Sequence, residues 1–254
     1  MRAWIEPVLN RCDNSGQIAA MEYREHAPPA AMAGLIKTCW TLDGGGAADD
    51  WIAQQATPDG CVEIIRRLAG RSRWEGDQPE TFAVGLVGTP TAFSISGNSR
   101  FAAIRLWPWA WPLISQLPLS SLWGRWTAFA HPLLDTLPDF DAALRMMPAP
   151  AALEAIGSAL VGAETVEGMS AATGMRPRTL QRWFARNVGV PPRRYLRLLR
   201  FQKAFEQVPD AASLADHAAA RGFADQAHMA RDFREMAGVP ATKARRTAVG
   251  PFLR

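Results

Sequence analysis

The segment Ala211 to Gly238, AASLADHAAARGFADQAHMARDFREMAG, constrains this chain more than any other stretch. It reads as two short helices around a tight turn. Ser213 can cap the first helix, in which Leu214, His217, Ala218 and Arg221 follow at helical spacing. Gly222 ends it, because glycine reaches positive φ at little steric cost, and Phe223 plugs the turn. A second helix starts near Ala224–Asp225 and runs to about Met236. Its Met229, Phe233 and Met236 recur at i, i+4 and i+7, which predicts a buried stripe. Gln226, Ala227, Ala230 and Arg231 fall on another face. A helix that buries one stripe and presents Gln and Arg near its N-terminus suits the DNA major groove, where Arg pairs with guanine and Gln with adenine.

The pattern recurs about forty residues upstream, in TVEGMSAATGMRPRTLQRWFARNVG, Thr165 to Gly189. Val166, Met169 and Ala172 form the apolar side of a first helix, Gly174 makes the turn and Met175 plugs it. Pro177 suits the first position of the next helix, where the missing N–H costs nothing. Leu180, Trp183, Phe184 and Val188 predict its buried stripe, and Arg178, Gln181, Arg182 and Arg186 its exposed side. Charge follows the same division. Residues 165–254 hold 16 Lys and Arg against 7 Asp and Glu, whereas the preceding 164 residues hold 12 against 17. A basic C-terminal part behind an acidic one fits a nucleic-acid reader joined to a separate domain.

Two stretches carry a resemblance. They are GFADQAHMARDFREMAGVPATKAR, Gly222 to Arg245, and TLQRWFARNVGVPPRRYLRLLRFQKA, Thr179 to Ala204. Over roughly the last ninety residues the chain resembles the DNA-binding region of AraC/XylS-type transcription regulators. The resemblance implies two helix–turn–helix units joined by a long helix, here Pro192 to Val208, with both units on one face of B-DNA about 34 Å apart. Base reading is expected from Arg178, Gln181 and Arg182 in the first unit and from Gln226, His228 and Arg231 in the second. Phosphate contact is expected from Arg186, Arg193, Arg194 and Lys243. Several positions depart from the family. Ala224 and Arg176 stand where Ser caps are usual, Ala227 replaces a Ser, Met229 a Phe and Ala244 an aromatic. Each lost cap should weaken its helix by about 1 kcal/mol.

The N-terminal half reads as short strands punctuated by Gly and Pro: Trp51–Ala56, Val62–Ile65 after the Pro58-Asp59-Gly60 turn, Thr81–Thr89, Thr91–Ser96 and Phe101–Leu106. Ala33–Leu42 is expected to be a short helix running into a strand. The fold class expected is α+β: a β-rich sandwich or barrel with flanking helices, then an all-α tandem helix–turn–helix domain. Pro28–Trp40, Pro58–Glu63, Val84–Leu86 and Phe101–Pro112 give this half a looser similarity to a small β-rich domain of uncertain role that precedes some AraC-type modules. Trp107, Trp109 and Trp111 alternate with Pro108, Ala110 and Pro112, so in an extended segment their rings share one side. They are a candidate ligand pocket, or else core or interdomain contacts. Leu119–Phe129, Asp139–Met147 and Ala151–Val161 are expected helices. The expected division is 1–112 as a sensory or interaction domain, 113–163 as a helical connector and 164–254 as the DNA-binding domain.

This organisation points to a sequence-specific, DNA-binding transcription regulator, controlled by a small molecule or a partner at the N-terminal domain. An N-terminal half that binds another protein without ligand is the alternative; an enzyme fused to a DNA-binding module is a remoter one. The chain is expected not to be an enzyme and to need no cofactor or metal. His26, Asp59, Cys61 and Glu63 show no motif spacing, and Gly44–Gly46 lacks the Lys of a phosphate loop. The expected partners are double-stranded DNA, an effector or protein, and a second copy in a homodimer. With no apolar run near the ~20 residues of a membrane helix, no signal-peptide pattern in residues 1–13, and three widely spaced cysteines, Cys12, Cys39 and Cys61, a cytoplasmic location with free thiols is expected.

Overall fold

A computed structural model describes residues 21–206, 213–249 and 252–253; Cys12 and the leader reading of residues 1–13 lie outside them. The N-terminal half is built from nine short strands: β1 (Glu22–His26), β2 (Ile36–Asp43), β3 (Trp51–Ala56), β4 (Val62–Ala69), β5 (Ser72–Arg73), β6 (Thr81–Val84), β7 (Thr91–Ser96), β8 (Arg100–Leu106) and β9 (Trp126–Ala128). One sheet runs β1-β2-β8-β4-β6-β9. The other runs through β3, β7 and β5, and is extended at the β3 edge by a C-terminal hairpin, β10 (Ala248–Val249) and β11 (Phe252–Leu253). Every pairing is antiparallel. Of the two architectures expected, the open two-sheet arrangement is the one formed; the strands do not close a barrel.

The six-stranded sheet is the middle layer of three. Along β8, Phe101 and Ala103 join the core between the sheets, while Ala102, Ile104 and Leu106 join the core on the opposite face. Along β4, Ile65 faces the second sheet, and Val62 and Ile64 face away from it. A sheet covered on both faces reads as a nearly continuous apolar run, which is why FAAI and EII show no polar alternation.

Helices cover that second face. They are α1 (Pro132–Asp135), α2 (Phe140–Arg145), α3 (Ala151–Gly162), α4 (Val166–Thr173), α5 (Pro177–Asn187) and α6 (Pro192–Glu206), followed by α7 (Leu214–Ala220), α8 (Gln226–Met236) and α9 (Ala241–Thr247). Their buried residues Leu160, Met169, Leu180, Phe184, Tyr195 and Leu199 share one cluster with Leu35, Ile64 and Trp109 of the β-rich half. Packing therefore does not part at residue 112 or 163, and β9 brings residues 126–128 into the sheet. A separate core, built on Phe201, Phe205, Phe223, Met229 and Phe233, holds the second helix pair. Among the described residues no helix is long and apolar enough to cross a membrane.

Three local expectations are corrected. Ala33–Leu42 holds no α-helix: a single 3-10 turn at Ala30–Met32 precedes β2, whose residues are captured between β1 and β8. Leu119–Phe129 is not a helix but a 3-10 turn, Leu119–Leu122, and then β9, which pairs with β6. Trp107–Pro112 is not extended: Pro108–Leu113 is a 3-10 helix with proline at its start.

Helix α3 seats on the β-rich half by close backbone approach. Gly157 lies against the carbonyl of Gly34, and a Cβ on either glycine would run into the other segment's backbone. The Gly34 amide donates to Glu154 Oε1 at 3.2 Å, and the same Gly34 carbonyl accepts from Trp109 Nε1 at 2.6 Å. Gly157→Ala is therefore expected to lower the unfolding free energy by about 1–3 kcal/mol, measured by urea denaturation. A midpoint equal to that of the unaltered chain would show that the two segments can part without cost.

Candidate nucleic-acid interface

Each helix–turn–helix unit is shaped by local chemistry that its sequence announces. In the first, the Thr165 hydroxyl accepts from the Gly168 amide at 2.9 Å to cap α4, Gly174 turns the chain at φ 68°, and Pro177 opens α5. Leu180, Phe184 and Val188 are buried and Trp183 is half-buried, as the spacing predicts. In the second unit, Ser213 caps α7 by accepting from the Asp216 amide at 3.3 Å, and Gly222 turns the chain at φ 73°. Helix α8 does not lack a cap. Asp225, one residue after Ala224, accepts from the His228 amide at 2.6 Å and takes the role that a Ser would fill. Arg176, by contrast, makes no cap bond at the start of α5.

The faces left outward are polar and cationic. Arg178, Gln181, Arg182 and Arg186 on α5 are exposed, as are Gln226 and Arg231 on α8 and Arg193 at the start of α6. None of these seven side chains makes a hydrogen bond or ion pair among the described residues. Lys243 on α9 is also exposed.

Two expected contacts are placed differently. The Arg194 guanidinium lies 4.1 Å from the Trp123 ring centroid, a cation–π contact with the β-rich half. His228 is half-buried against Phe223, with ring centroids 5.4 Å apart, and its Nδ1 accepts from the Ala224 amide at 3.4 Å. It braces the turn of its own unit.

Helix α6 holds the two units in relation. Arg197 donates to buried Asp232 at 2.7 Å and to Glu235 at 2.5 Å, tying α6 to α8. These bonds hold the Arg197 guanidinium above its ordinary range and the Glu235 carboxyl below its own. Arg200 adds a stack on Phe223 at 4.9 Å and a longer approach to Asp232 at 3.9 Å. On its other side α6 meets the β-rich half, where the buried Tyr195 hydroxyl donates to the Gly60 carbonyl at 3.1 Å. Lys37 pairs with Glu206 at 3.2 Å farther along the helix.

Gly60 belongs to the Pro58–Cys61 turn, and behind that turn lies a buried charge cluster. Arg105, only 2% exposed, pairs with Asp59 at 2.8 Å, Glu63 at 2.5 Å and Glu25 at 3.3 Å. Burial opposes the Arg105 charge, but the surrounding acids and Tyr23 raise its pKa well above the usual value. Asp59 Oδ1 also accepts from the Cys61 amide at 2.9 Å, which fixes the turn. Sequence reading noted Asp59, Cys61 and Glu63 and placed Tyr195 on the apolar side of its helix, but missed Arg105 and the Tyr195 bond to Gly60. An Arg at a core-facing position of FAAIRL was the available signal. His26 does not join this group; its ring lies tilted against Phe140 with centroids 5.1 Å apart. Burial pushes the Cys61 thiol well up and the Cys39 thiol to about 12, so both are poor nucleophiles.

The tryptophan trio is buried in the core. Trp107, Trp109 and Trp111 are 7%, 0% and 1% exposed, and their Nε1 atoms donate to the carbonyls of Ala33, Gly34 and Leu117. Trp109 packs on Trp183 of α5 and edge-on against Tyr195 of α6. They are core contacts between the β-rich half and the first unit. A cavity does exist, but between the two sheets, with a volume of about 90 Å³ and walls that include Trp40, Trp74, Phe82 and Phe93.

Two family models match separate parts of the chain. Residues 169–247 match a family described as a helix-turn-helix domain, and residues 24–126 match a domain of unknown function, DUF6597. No curated protein matches the chain. Among solved structures, an AraC-type transcriptional regulator from Chromobacterium violaceum is similar at 21% identity, covering 38% of this chain and 90% of that one, with a TM-score of 0.34. ToxT from Vibrio cholerae is similar at 10% identity, covering 76% and 96%, with a TM-score of 0.42. ToxT bound to an unsaturated fatty acid is similar at 11% identity, covering 76% and 94%, with a TM-score of 0.39. The two family matches give this chain an AraC-type helix-turn-helix DNA-binding domain at residues 169–247, preceded by a DUF6597 domain at residues 24–126.

Proposed function

We propose that the protein regulates transcription by reading two successive major grooves, with α5 in one and α8 in the next, under the control of a small molecule acting at the N-terminal domain. The observation that carries this reading is the set of uncommitted side chains Arg178, Gln181, Arg182, Gln226 and Arg231. They sit on the exposed faces of two helices whose opposite faces are buried. Arg178, Arg182 and Arg231 suit guanine and Gln181 and Gln226 suit adenine. Arg186, Arg193 and Lys243 suit phosphates, which give affinity and register without sequence.

Control follows from where α6 is held. Tyr195 and Leu199 pack against the Pro58–Cys61 turn, so a ligand that moves this turn changes the footing of the helix that spaces the two readers. In this reading residues 1–112 sense, 113–163 connect and 164–254 read DNA. The protein works in the cytoplasm, without catalysis, and a second copy adds affinity without being needed to reach two grooves.

Selection from a randomised DNA library at two salt concentrations is expected to enrich two sequence blocks spaced by about one helical turn. Enrichment of one block alone would remove α8 from sequence reading. On the selected site, Arg182→Ala is expected to cost about 1–3 kcal/mol while leaving binding to scrambled DNA nearly unchanged, whereas Arg186→Ala weakens both and lowers the salt slope by about one. Tyr195→Phe leaves the Gly60 carbonyl buried without its donor. It is expected to lower stability by about 1–3 kcal/mol and to shift operator affinity although no DNA-facing side chain has changed. Operator affinity identical to that of the unaltered chain would detach the turn from control.

A further inference from the structure

The cavity between the sheets has two unusual properties. Aromatic rings stand in its mostly apolar walls, from Trp40 and Phe82 of the six-stranded sheet, Phe93 of the other, and Trp74 beyond β5. It also borders polar groups that the protein leaves incompletely satisfied. Gln54 and Ser72, each 3% exposed, line it, and neither Gln54 Oε1 nor Ser72 Oγ has a hydrogen-bond partner among the described residues. A buried acceptor without a donor costs free energy that a bound donor would return.

Charge points the same way. Asp59 and Glu63 are also wall residues, and with Glu25 they share the single guanidinium of Arg105. Lys37 stands nearby but pairs with Glu206 on α6. Three carboxylates around one Arg leave an excess of negative charge beside an aromatic chamber. Burial holds the Glu63 carboxyl above its usual range even with Arg105 beside it, so a further positive charge at the wall would relieve that cost. An anion would meet carboxylates, and a pure hydrocarbon would leave Gln54 and Ser72 unpaired.

We propose that this cavity is the binding site of a small organic cation: an ammonium-bearing ligand with one ring-sized apolar part. The ring packs among Trp40, Trp74, Phe82 and Phe93, whose faces attract positive charge. The ammonium N–H groups donate to Glu63 and to Gln54 Oε1. The volume of about 90 Å³ limits the ligand to a small one and excludes a long chain. This inference rests on the reading of the N-terminal domain as an effector domain and gives that effector its chemistry. The same Asp59 that faces the ligand fixes the turn holding Tyr195, so the site adjoins the contact through which α6 is held.

The test compares three probes that share a ring and differ in charge, namely benzylammonium, benzyl alcohol and benzoate, titrated into the full-length protein. Binding is read by calorimetry and by the fluorescence of the wall tryptophans; operator affinity is read in parallel. Benzylammonium is expected to bind about tenfold or more tightly than benzyl alcohol, and benzoate not to bind. Glu63→Gln is expected to erase that preference while leaving benzyl alcohol binding in place. Ser72→Leu, which fills the cavity away from the Arg105 pairs, is expected to abolish binding of every probe and serves if Glu63→Gln does not fold. Equal binding of benzylammonium and benzyl alcohol, or tightest binding of benzoate, would overturn the cation assignment. If benzyl alcohol or benzoate nevertheless changed operator affinity, the effector reading would stand without it. Binding of benzylammonium that survives Ser72→Leu would place the ligand elsewhere and overturn the site.

Discussion

A sheet with both faces buried is the constraint on which the rest of this molecule depends. Burial of β4 and β8 between two layers means that each can put one set of side chains into a chamber and the other set under the helices. Glu63, Ile65 and Ala103 look one way, and Val62, Ile64 and Ile104 the other. The cavity and a helix–turn–helix unit thus sit on opposite faces of one sheet. Arg105 is tolerated at this depth because three carboxylates surround it; removing any charge from so buried a group leaves the remainder uncompensated, which is why such clusters are costly to disturb.

Helix α6 converts that layering into a relation between the two readers. Its Tyr195 and Leu199 belong to the core shared with the β-rich half, and its Leu198, Phe201 and Phe205 to the core of the second unit. One turn of helix therefore changes allegiance from one core to the other. The two units are held by unlike means. The first is buried into the β-rich half through Trp183, Phe184 and the aromatic contacts of Trp109. The second has its own small core, on which Trp123 of the β-rich half packs, and is tied to α6 by Arg197, whose fork spans Asp232 and Glu235.

What could be read from the sequence divides along the same physical line. The helix–turn–helix units were legible because their determinants are local: Gly174 and Gly222 at the turns, Pro177 at a helix start, Ser213 at a cap. The Asp225 cap was missed because the family pattern directs attention to Ala224, while the geometry needs only an acceptor within reach of the His228 amide. Strands β3, β7 and β8 were visible from composition. Their assignment to two sheets was not, because pairing such as Cys39 with Ile104 and Trp126 with Val84 joins residues far apart in sequence. The alternation of Trp107, Trp109 and Trp111 suggested an extended ribbon, but Pro108 also fits the first position of a 3-10 turn, and burial against Gly34 and Trp183 decides between them.

The unequal anchoring of the two units has a consequence for regulation. A disturbance at the Pro58–Cys61 turn reaches Tyr195 directly and α5 through the Trp109–Trp183–Phe184 contacts. It reaches α8 along α6 and through Arg197, and the second unit also meets the β-rich half directly where Gly238 approaches Pro90 and Gln55. The orientation of α5 is thus tied to the state of the β-rich half, whereas α8 keeps its internal geometry and is carried as a body. On the proposed reading of two grooves under effector control, an effector at the sheets need not unfold or uncover either reading helix. It need only alter the angle at which α6 leaves the turn, and since two grooves must be met at a spacing fixed by DNA, a small change of angle at Tyr195 is magnified at the far end of the helix, where α8 has to land.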